Sequence, residues 1–377
     1  MDACDVLIVG GGPAGSTCAW QLNKAGLDVL VLDKQSFPRE KICAGWITPA
    51  VVDSLALDLA DYACGRVLQP IHGFRTGIWG AGEVETHYPQ KAASYGIRRF
   101  EFDHYLLERS QARLRLGEPL QSMVRDADRW IVNDAIRTPL VIGAGGHFCP
   151  VSRLLGTQLG QGETIVSAQE IEFALTEEQR SQCNFENDVV QLYFCPDLKG
   201  YGWCFPKGNY LNVGLGREDN HRLSEHVERF ADWLKDRGAI PRNLPGKMKG
   251  HAYLLYPSSQ RRLVADGVLI IGDAAGLAYP ESGEGIRPAI ESGLMAAATV
   301  LEASEDYREA RLVTYAQRIA QRFGVRKTNA PGPSWLPEKL RQTIAARLMA
   351  TQWFARNIVI ERWFLHSGQA AITAPAQ

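Results

Sequence analysis

No stretch of about 18 uncharged apolar residues occurs in this chain, so no segment reads as crossing a membrane. Neither sign of charge dominates: 41 Lys and Arg stand against 42 Asp and Glu. No basic stripe is interleaved with aromatics, so nucleic acid is not an expected partner. The eight cysteines (Cys4, Cys18, Cys43, Cys64, Cys149, Cys183, Cys195, Cys204) contain no C-x-x-C pair. That spacing argues against zinc ribbons and a disulfide framework, predicts no metal site, and fits a reduced cytosol. The N-terminus has no basic leader, and its apolar run is too short for a signal peptide, so it reads as mature protein. Repeats and low-complexity tracts are absent too. What remains is a chain of 377 residues, longer than one ordinary core, for which two domains are expected.

The chain is organised around its first 33 residues. Val6 to Val9 is a short β-branched run stopped by glycines, the pattern of a strand buried on both faces. Gly10-x-Gly12-x-x-Gly15 then opens a helix, expected over Ala14 to Ala25 and ended by Gly26. A second buried strand, Val29 to Leu32, finishes on Asp33. Gly10 makes the tight turn, Gly12 lets a pyrophosphate approach the backbone, and Gly15 lets helix and strand pack closely. The helix N-terminus offers free N–H groups and a partial positive charge to the phosphates. Asp33 lies 18 positions beyond Gly15, close to the ~20 expected of the acid that binds a ribose. Together these features predict a dinucleotide site.

The loop Ser36 to Pro49 follows, with Arg39 and Lys41 placed either to meet phosphate charge or simply to face solvent. Residues 50–60 read as a short helix, and 67–88 as antiparallel strands. Arg98 to Leu107 opens an amphipathic helix, while Arg129 to Val132 and Leu140 to Ile142 have buried-strand character. The second of these runs into Gly143-Ala144-Gly145-Gly146. Residues 164–217 are strand-rich, and Asn220 to Arg237 is helical. Val268 to Ile271 is a third strand ending in glycine, at Gly272-Asp273, and Gly283-Glu284-Gly285 precedes a long helix, Pro288 to Ala303. A helix over 305–323, a proline-rich linker over 330–337 containing Trp335, and a helical tail complete the chain.

The strand ending in Gly272-Asp273 resembles the segment that holds the ribityl chain in flavoproteins of the p-hydroxybenzoate hydroxylase superfamily. Within it the chain is most similar to the geranylgeranyl reductase family. The likeness rests on Phe37-Pro38-Arg39-x-Lys41-x-Cys43-x-Gly45, Arg99-x-x-Phe102-Asp103, Gly143-Ala144-Gly145-Gly146 and Asp273-Ala274-Ala275-Gly276. Tyr201-x-Trp203-x-Phe205-Pro206-Lys207 with Gly214-x-Gly216 is the motif most particular to that family. The resemblance spans residues 3–325. It implies an α/β fold: a Rossmann-like FAD-binding domain of the hydroxylase (GR2) type, an antiparallel-sheet substrate domain, and a C-terminal helical tail. The expected FAD-binding domain is 1–70 with 94–160 and 247–329, the substrate domain 71–93 with 161–246, and the tail 330–377.

The resemblance further implies non-covalent FAD in an extended form. The residues it assigns to the cofactor are Gly10, Gly12, Pro13, Ala14, Gly15, Asp33, Lys34, Arg39, Cys43, Ala44, Gly45 and Arg99, with Ala144, Gly145, Gly272, Asp273, Gly283, Gly285 and Ile286 at the later junctions. The implied reaction reduces a carbon–carbon double bond of a prenyl or other hydrophobic substrate, with hydride from the reduced flavin and a proton from the protein. An unactivated alkene requires the proton to lead or accompany the hydride, in a pocket that excludes water. Tyr201, Trp203 and Phe205 share one face of a strand and suit a cationic carbon; they equally suit an aromatic core. With Pro206 and Lys207 they form the candidate substrate contacts, and Cys43, Tyr201 and Trp203 the candidate catalytic set. Cys43 is either a proton donor beside the flavin or a buried small hydrophobe. Gly145 departs from the Gly-Ala-Asp-Gly of hydroxylases, which leaves NADPH and a ferredoxin-like protein both open as reductant.

Two other readings stand beside this one. A monooxygenase or halogenase uses the same fold, although halogenases carry Trp-x-Trp-x-Ile where this chain has Tyr201-x-Trp203-x-Phe205. A non-catalytic flavin-binding module is the third. The tail from Lys339 to His366 is basic, apolar and Trp-bearing, so it either lies on an anionic membrane surface or closes the substrate domain.

Overall fold

The computed structural model describes residues 1–157, 163, 165–219, 221–326 and 337–373. Asn220, Trp335 and all of the expected linker except Pro337 lie outside them.

A six-stranded sheet carries the N-terminal motif. Its order places Val264–Ala265, Val268–Ile270, Leu140–Gly143, Val6–Val9, Val29–Asp33 and Arg113–Leu116 side by side, parallel except for the first pair. Val6 to Ile8, Leu140 to Ile142 and Val268 to Ile270 are fully buried, as β-branched strands covered on both faces must be. The three glycine-ended strands are therefore adjacent, and their C-terminal ends lie along one edge. Helices Pro13–Lys24 and Ile286–Ala303 cross over that edge, packed so closely that a Cβ on Gly293 would stand 2.5 Å from the Ala14 carbonyl oxygen.

The second sheet has seven strands in the order Lys249–Leu254, Ile165–Ala174, Tyr210–Arg217, Gly200–Lys207, Val189–Phe194, Gly73–Ile78 and Glu83–His87. All its pairings are antiparallel but that of Val189–Phe194 with Gly73–Ile78. Lys249–Leu254 thus joins this sheet from beyond the 246 boundary expected for it. One face packs on helix Leu223–Asp236, where Phe230, Leu234 and Val227 bury with Tyr193, Cys204 and Val213. The other face turns toward the FAD-type domain.

Several expected elements are altered locally. The helix expected at 50–60 is two short ones, Pro49–Leu55 and Leu59–Ala63, because Ala56 takes a left-handed backbone at the end of the first. Arg129–Val132 is part of a separate four-stranded sheet and only half-buried, not a core strand. The tail is Glu338–Met349 followed by Gln352–Phe364. Its Met349, Val359, Ile360 and Phe364 are buried in the same cluster as Phe74, Trp203 and Phe205, so this segment covers the inward face of the second sheet. Arg287, itself fully buried, fixes the far end by donating to the carbonyls of Gln369 at 2.7 Å and Ala370 at 3.2 Å.

Candidate active site

At the N-terminal motif, backbone crowds two of the glycines. Gly10 has φ +117°, and a Cβ there would stand 2.4 Å from the Ala144 oxygen; one on Gly15 would stand 1.9 Å from the Gly10 oxygen. Both positions exclude any side chain. Pro13 and Ala14 are buried in the first turn, which has no side-chain cap, so its N–H groups stay free for an anion. Asp33 accepts from the Gly11 amide at 2.8 Å and the Gln35 amide at 2.9 Å, which fixes its carboxylate at the strand end. Lys34 beside it is exposed.

Arg39 stands over Gly12, its guanidinium 3.4 Å from where a Cβ would be. Its other contact is Asp103, at 3.0 Å. Asp103 is fully buried and also takes a two-pronged pair from Arg99, at 2.6 and 2.8 Å. Burial works against the charge on Arg99, and Asp103 more than restores it, so the guanidinium stays ionised.

At the third junction, Gly272 has φ +63° and its amide donates to Ser292 Oγ at 2.9 Å. Asp273 Oδ1 lies 3.1 Å from a Cβ position on Gly285, where helix Ile286–Ala303 begins. Ala144 and Gly145 sit between the first and third junctions: the Ala144 amide donates to the Val9 oxygen at 2.8 Å, and the Ile271 amide to the Gly143 oxygen at 2.9 Å. An elongated cradle with cations near one helix N-terminus, an acid at each end and no side chains at its narrow points fits an extended dinucleotide.

The second sheet meets this cradle through its inward face. Register places Ala168, Gly216, Tyr201 and Phe194 in one row, and Glu170, Gly214, Trp203 and Leu192 in the next. Gly214 has no side chain because the Trp203 ring occupies the space: a Cβ there would stand 2.4 Å from the ring and 2.6 Å from the Glu170 Cβ. Tyr201 donates its hydroxyl to the Ser282 oxygen, tying the sheet to the loop before Gly283. Gly283, at φ +67°, lies beneath the Tyr253 ring. Val166, Phe194, Tyr201 and Tyr253, together with the charged Arg217, Glu218 and Glu281, line a cleft of about 80 Å³.

The Cys43 loop is held from the same sheet. Trp203 Nε1 donates to Asn212 Oδ1 at 2.7 Å, and Asn212 Nδ2 donates to the Cys43 oxygen at 3.4 Å. Lys207, fully buried, donates to the oxygens of Ala44 at 2.7 Å and Ile97 at 3.1 Å, and pairs with Glu172. Gly45, at φ +66°, completes the turn beside Ile97. Cys43 itself is half-buried, its Sγ 3.5 Å from the Gly45 amide.

Of the expected substrate contacts, the structure brings Tyr201 to the cleft and Trp203 to the same face. Phe205 is buried against Trp46, ring centroids 6.0 Å apart, and Lys207 is spent on backbone oxygens. Pro206 belongs to the opposite row with Gly202, on the side of helix Leu223–Asp236, because side chains alternate along the strand. These three are not brought to the cleft. Sequence reasoning missed Tyr253, which lines the cleft, and also Glu170 and Asn212, beside Trp203, and His251, stacked on Tyr253. Burial pushes the Glu170 carboxyl up to about 7, and burial with nearby Lys41 and Arg99 pushes His251 down to about 4. Glu284, whose carboxyl oxygens are buried, is pushed up to about 8 by that burial. Nothing in the local alternation of Ile165–Ala174 distinguishes Glu170 from the solvent side; only long-range pairing does.

Comparison with known proteins agrees with this architecture. Residues 5–96 match the family model described as FAD dependent oxidoreductase. The menaquinone reductase of Mycobacterium tuberculosis is 30% identical over 321 residues, 78% of this chain and 76% of that protein. Digeranylgeranylglycerophospholipid reductase 3 of Methanosphaera stadtmanae is 29% identical over 346 residues, covering 85% and 83%. A crystal structure of a geranylgeranyl bacteriochlorophyll reductase-like protein from Thermoplasma acidophilum superposes with a TM-score of 0.74 at 23% identity, over 100% of this chain and 94% of that one. The glycine cradle, its two acids and the aromatic strand therefore belong to an FAD-dependent oxidoreductase, and the chain is a member of the geranylgeranyl reductase family.

Proposed function

We propose that this protein reduces carbon–carbon double bonds of a prenyl lipid, with Cys43 as the proton donor and Tyr201 and Trp203 as the wall of the reacting pocket. The observation that carries the reading is the double attachment of the Cys43 loop to the aromatic strand pair, through Asn212 and Lys207. The Cys43 loop is thus tied to the strand pair whose Tyr201 reaches the Ser282 oxygen before Gly283. The relatives named as menaquinone and digeranylgeranylglycerophospholipid reductases support a long hydrophobic substrate.

Asp33 would receive the ribose hydroxyls of FAD, the free amides of the first helix with Arg39 its pyrophosphate, and Asp273 its ribityl hydroxyls. Reduced FAD, when bound there, supplies the hydride. The chain supplies everything else. The Cys43 thiol holds the proton for the second carbon. Tyr201, Trp203 and Tyr253 keep water out and tolerate positive charge as it develops. NADPH or a ferredoxin-like protein would be the source of the electrons. Delivery of the lipid follows from peripheral contact with a membrane through the C-terminal helix. Among the described residues no helix is long and apolar enough to cross one.

The test is anaerobic incubation of photoreduced holoprotein with prenyl substrates. A saturated product formed without oxygen is expected; an absolute need for oxygen would move the protein to the monooxygenases. Cys43→Ala is expected to keep FAD and lose most turnover, about a hundredfold. Unchanged turnover in that variant removes Cys43 from the reaction.

A further inference from the structure

Glu170 is 3% exposed, yet its Oε2 has no hydrogen-bond partner. Such a group in a site calls for an explanation. The charge of the nearest buried cation, Lys207, pulls the carboxyl down, but by less than burial pushes it up, and Lys207 gives it no hydrogen bond. Lys207 has three N–H donors, and the Ala44 oxygen, the Ile97 oxygen and Glu172 take all three. Glu172 in turn is paired with Arg98 at 3.1 Å. Lys249, the cross-strand partner of Glu170, is exposed. The remaining neighbours are neutral: the Cys43 amide and Asn212, whose pull does not offset burial, and the rings of Trp203 and Tyr253. An ionised carboxylate with no cation of its own would be very costly in such a place, whereas a carboxylic acid is tolerated.

We propose that Glu170 is held as a neutral carboxylic acid and is the proton reservoir behind Cys43. The inference rests on the double-bond reduction proposed above. The alkene gains two hydrogens. Hydride reaches one carbon from the reduced cofactor that the reaction already requires. At the other carbon, the Cys43 S–H bond breaks as C–H forms, which leaves a thiolate. The Glu170 O–H bond then breaks as S–H reforms, and the carboxylate is reprotonated by water after product leaves. Glu170 is a supporting residue; it acts through Cys43 and does not touch the reacting carbons.

The test compares wild type with Glu170→Gln, which keeps the shape, and Glu170→Asp, which keeps the acid. Infrared difference spectra of oxidised holoprotein titrated between pH 5 and pH 9 are expected to show a protonated carboxylic acid that ionises near neutrality and is missing in Glu170→Gln. If that signal persists in Glu170→Gln, or wild type lacks it, the reservoir is wrong whatever the enzyme reduces. In turnover, pre-reduced Glu170→Gln is expected to complete its first reduction within about twofold of wild type, because the thiol already carries one proton. Its repeated turnover is expected to fall about a hundredfold, with partial recovery in Glu170→Asp. Equal repeated turnover in Glu170→Gln overturns the proposal. Wild type that reduces no prenyl substrate overturns the parent reading, while the infrared result still decides the state of Glu170.

Discussion

Around the glycine-ended strands, position is set by backbone against backbone; on the second sheet it is set by side chains gripping backbone. Gly10, Gly15 and Gly293 are places where two main chains touch, and a single methyl group would separate them. Asn212, itself held by Trp203, and Lys207 instead reach across to the Cys43 loop and hold its carbonyls. The first kind of site binds a group common to many enzymes and has little room to vary. The second is where a protein adjusts chemistry, since each contact is replaceable without moving the sheets.

The largest effect should come from breaking the first kind. Gly15→Ala sets a carbon 1.9 Å from the Gly10 oxygen, so helix and strand must part. Overpacking of that kind costs about 3 kcal/mol or more, roughly a 5–10 °C fall in Tm, and we expect FAD to be lost altogether. Calorimetry and the flavin absorbance of purified protein check both; a yellow variant with unchanged Tm would show that the junction is more pliable than its packing implies.

Breaking the second kind should leave the cofactor in place. Lys207→Met removes the donor to the Ala44 and Ile97 oxygens and leaves Glu172 with Arg98 as its partner. The loss of a buried hydrogen-bonding group is worth about 2–3 kcal/mol. Misplacement of the Cys43 loop is expected to lower kcat about tenfold to a hundredfold with KM and FAD content little changed. A rise in KM at constant kcat would make Lys207 a substrate contact instead.

The same contrast decides what could be read from the chain. Backbone sites announce themselves, because only glycine serves where main chains meet or φ is positive: Gly10, Gly15, Gly272 and Gly283 were all legible. Asp33 was legible by its distance from them. Cys43, Tyr201 and Trp203 were singled out by the family's motifs, but the residues that surround them were not. Asn212 and Glu170 meet Trp203 only through pairings between strands, and no local pattern encodes register. Lys207 was expected as a substrate contact with the rest of the aromatic-strand motif; its burial follows from Gly45 and Gly96, both within 3 Å of it when given a Cβ. The tail was legible as apolar and basic, with its direction undetermined.

That tail carries the smallest effect. Helix Glu338–Met349 turns Ala345, Ala346 and Met349 toward the protein, yet Leu340, Ile344 and Leu348 point outward, exposed by 46%, 42% and 43%, and Trp353 beyond them by 66%. Their spacing of four forms a continuous stripe, and exposed Lys339, Arg341 and Arg347 lie beside it. An apolar stripe edged with cations suits an anionic lipid surface. Removing the whole tail would be a poor test, since Phe364 stacks on Trp46 at 5.5 Å and Arg287 holds the terminus. The double variant Ile344→Asp, Leu348→Asp touches only the outward stripe. It is expected to change stability by less than ~0.5 kcal/mol per site and to leave turnover of detergent-dispersed substrate unchanged. Each side chain withdrawn from the bilayer forfeits about 1–2 kcal/mol, so flotation with anionic vesicles should show binding weakened about tenfold or more, and wild-type binding should fall as salt is raised. Equal flotation of variant and wild type would leave the stripe without a membrane role and the tail as a wall of the site alone.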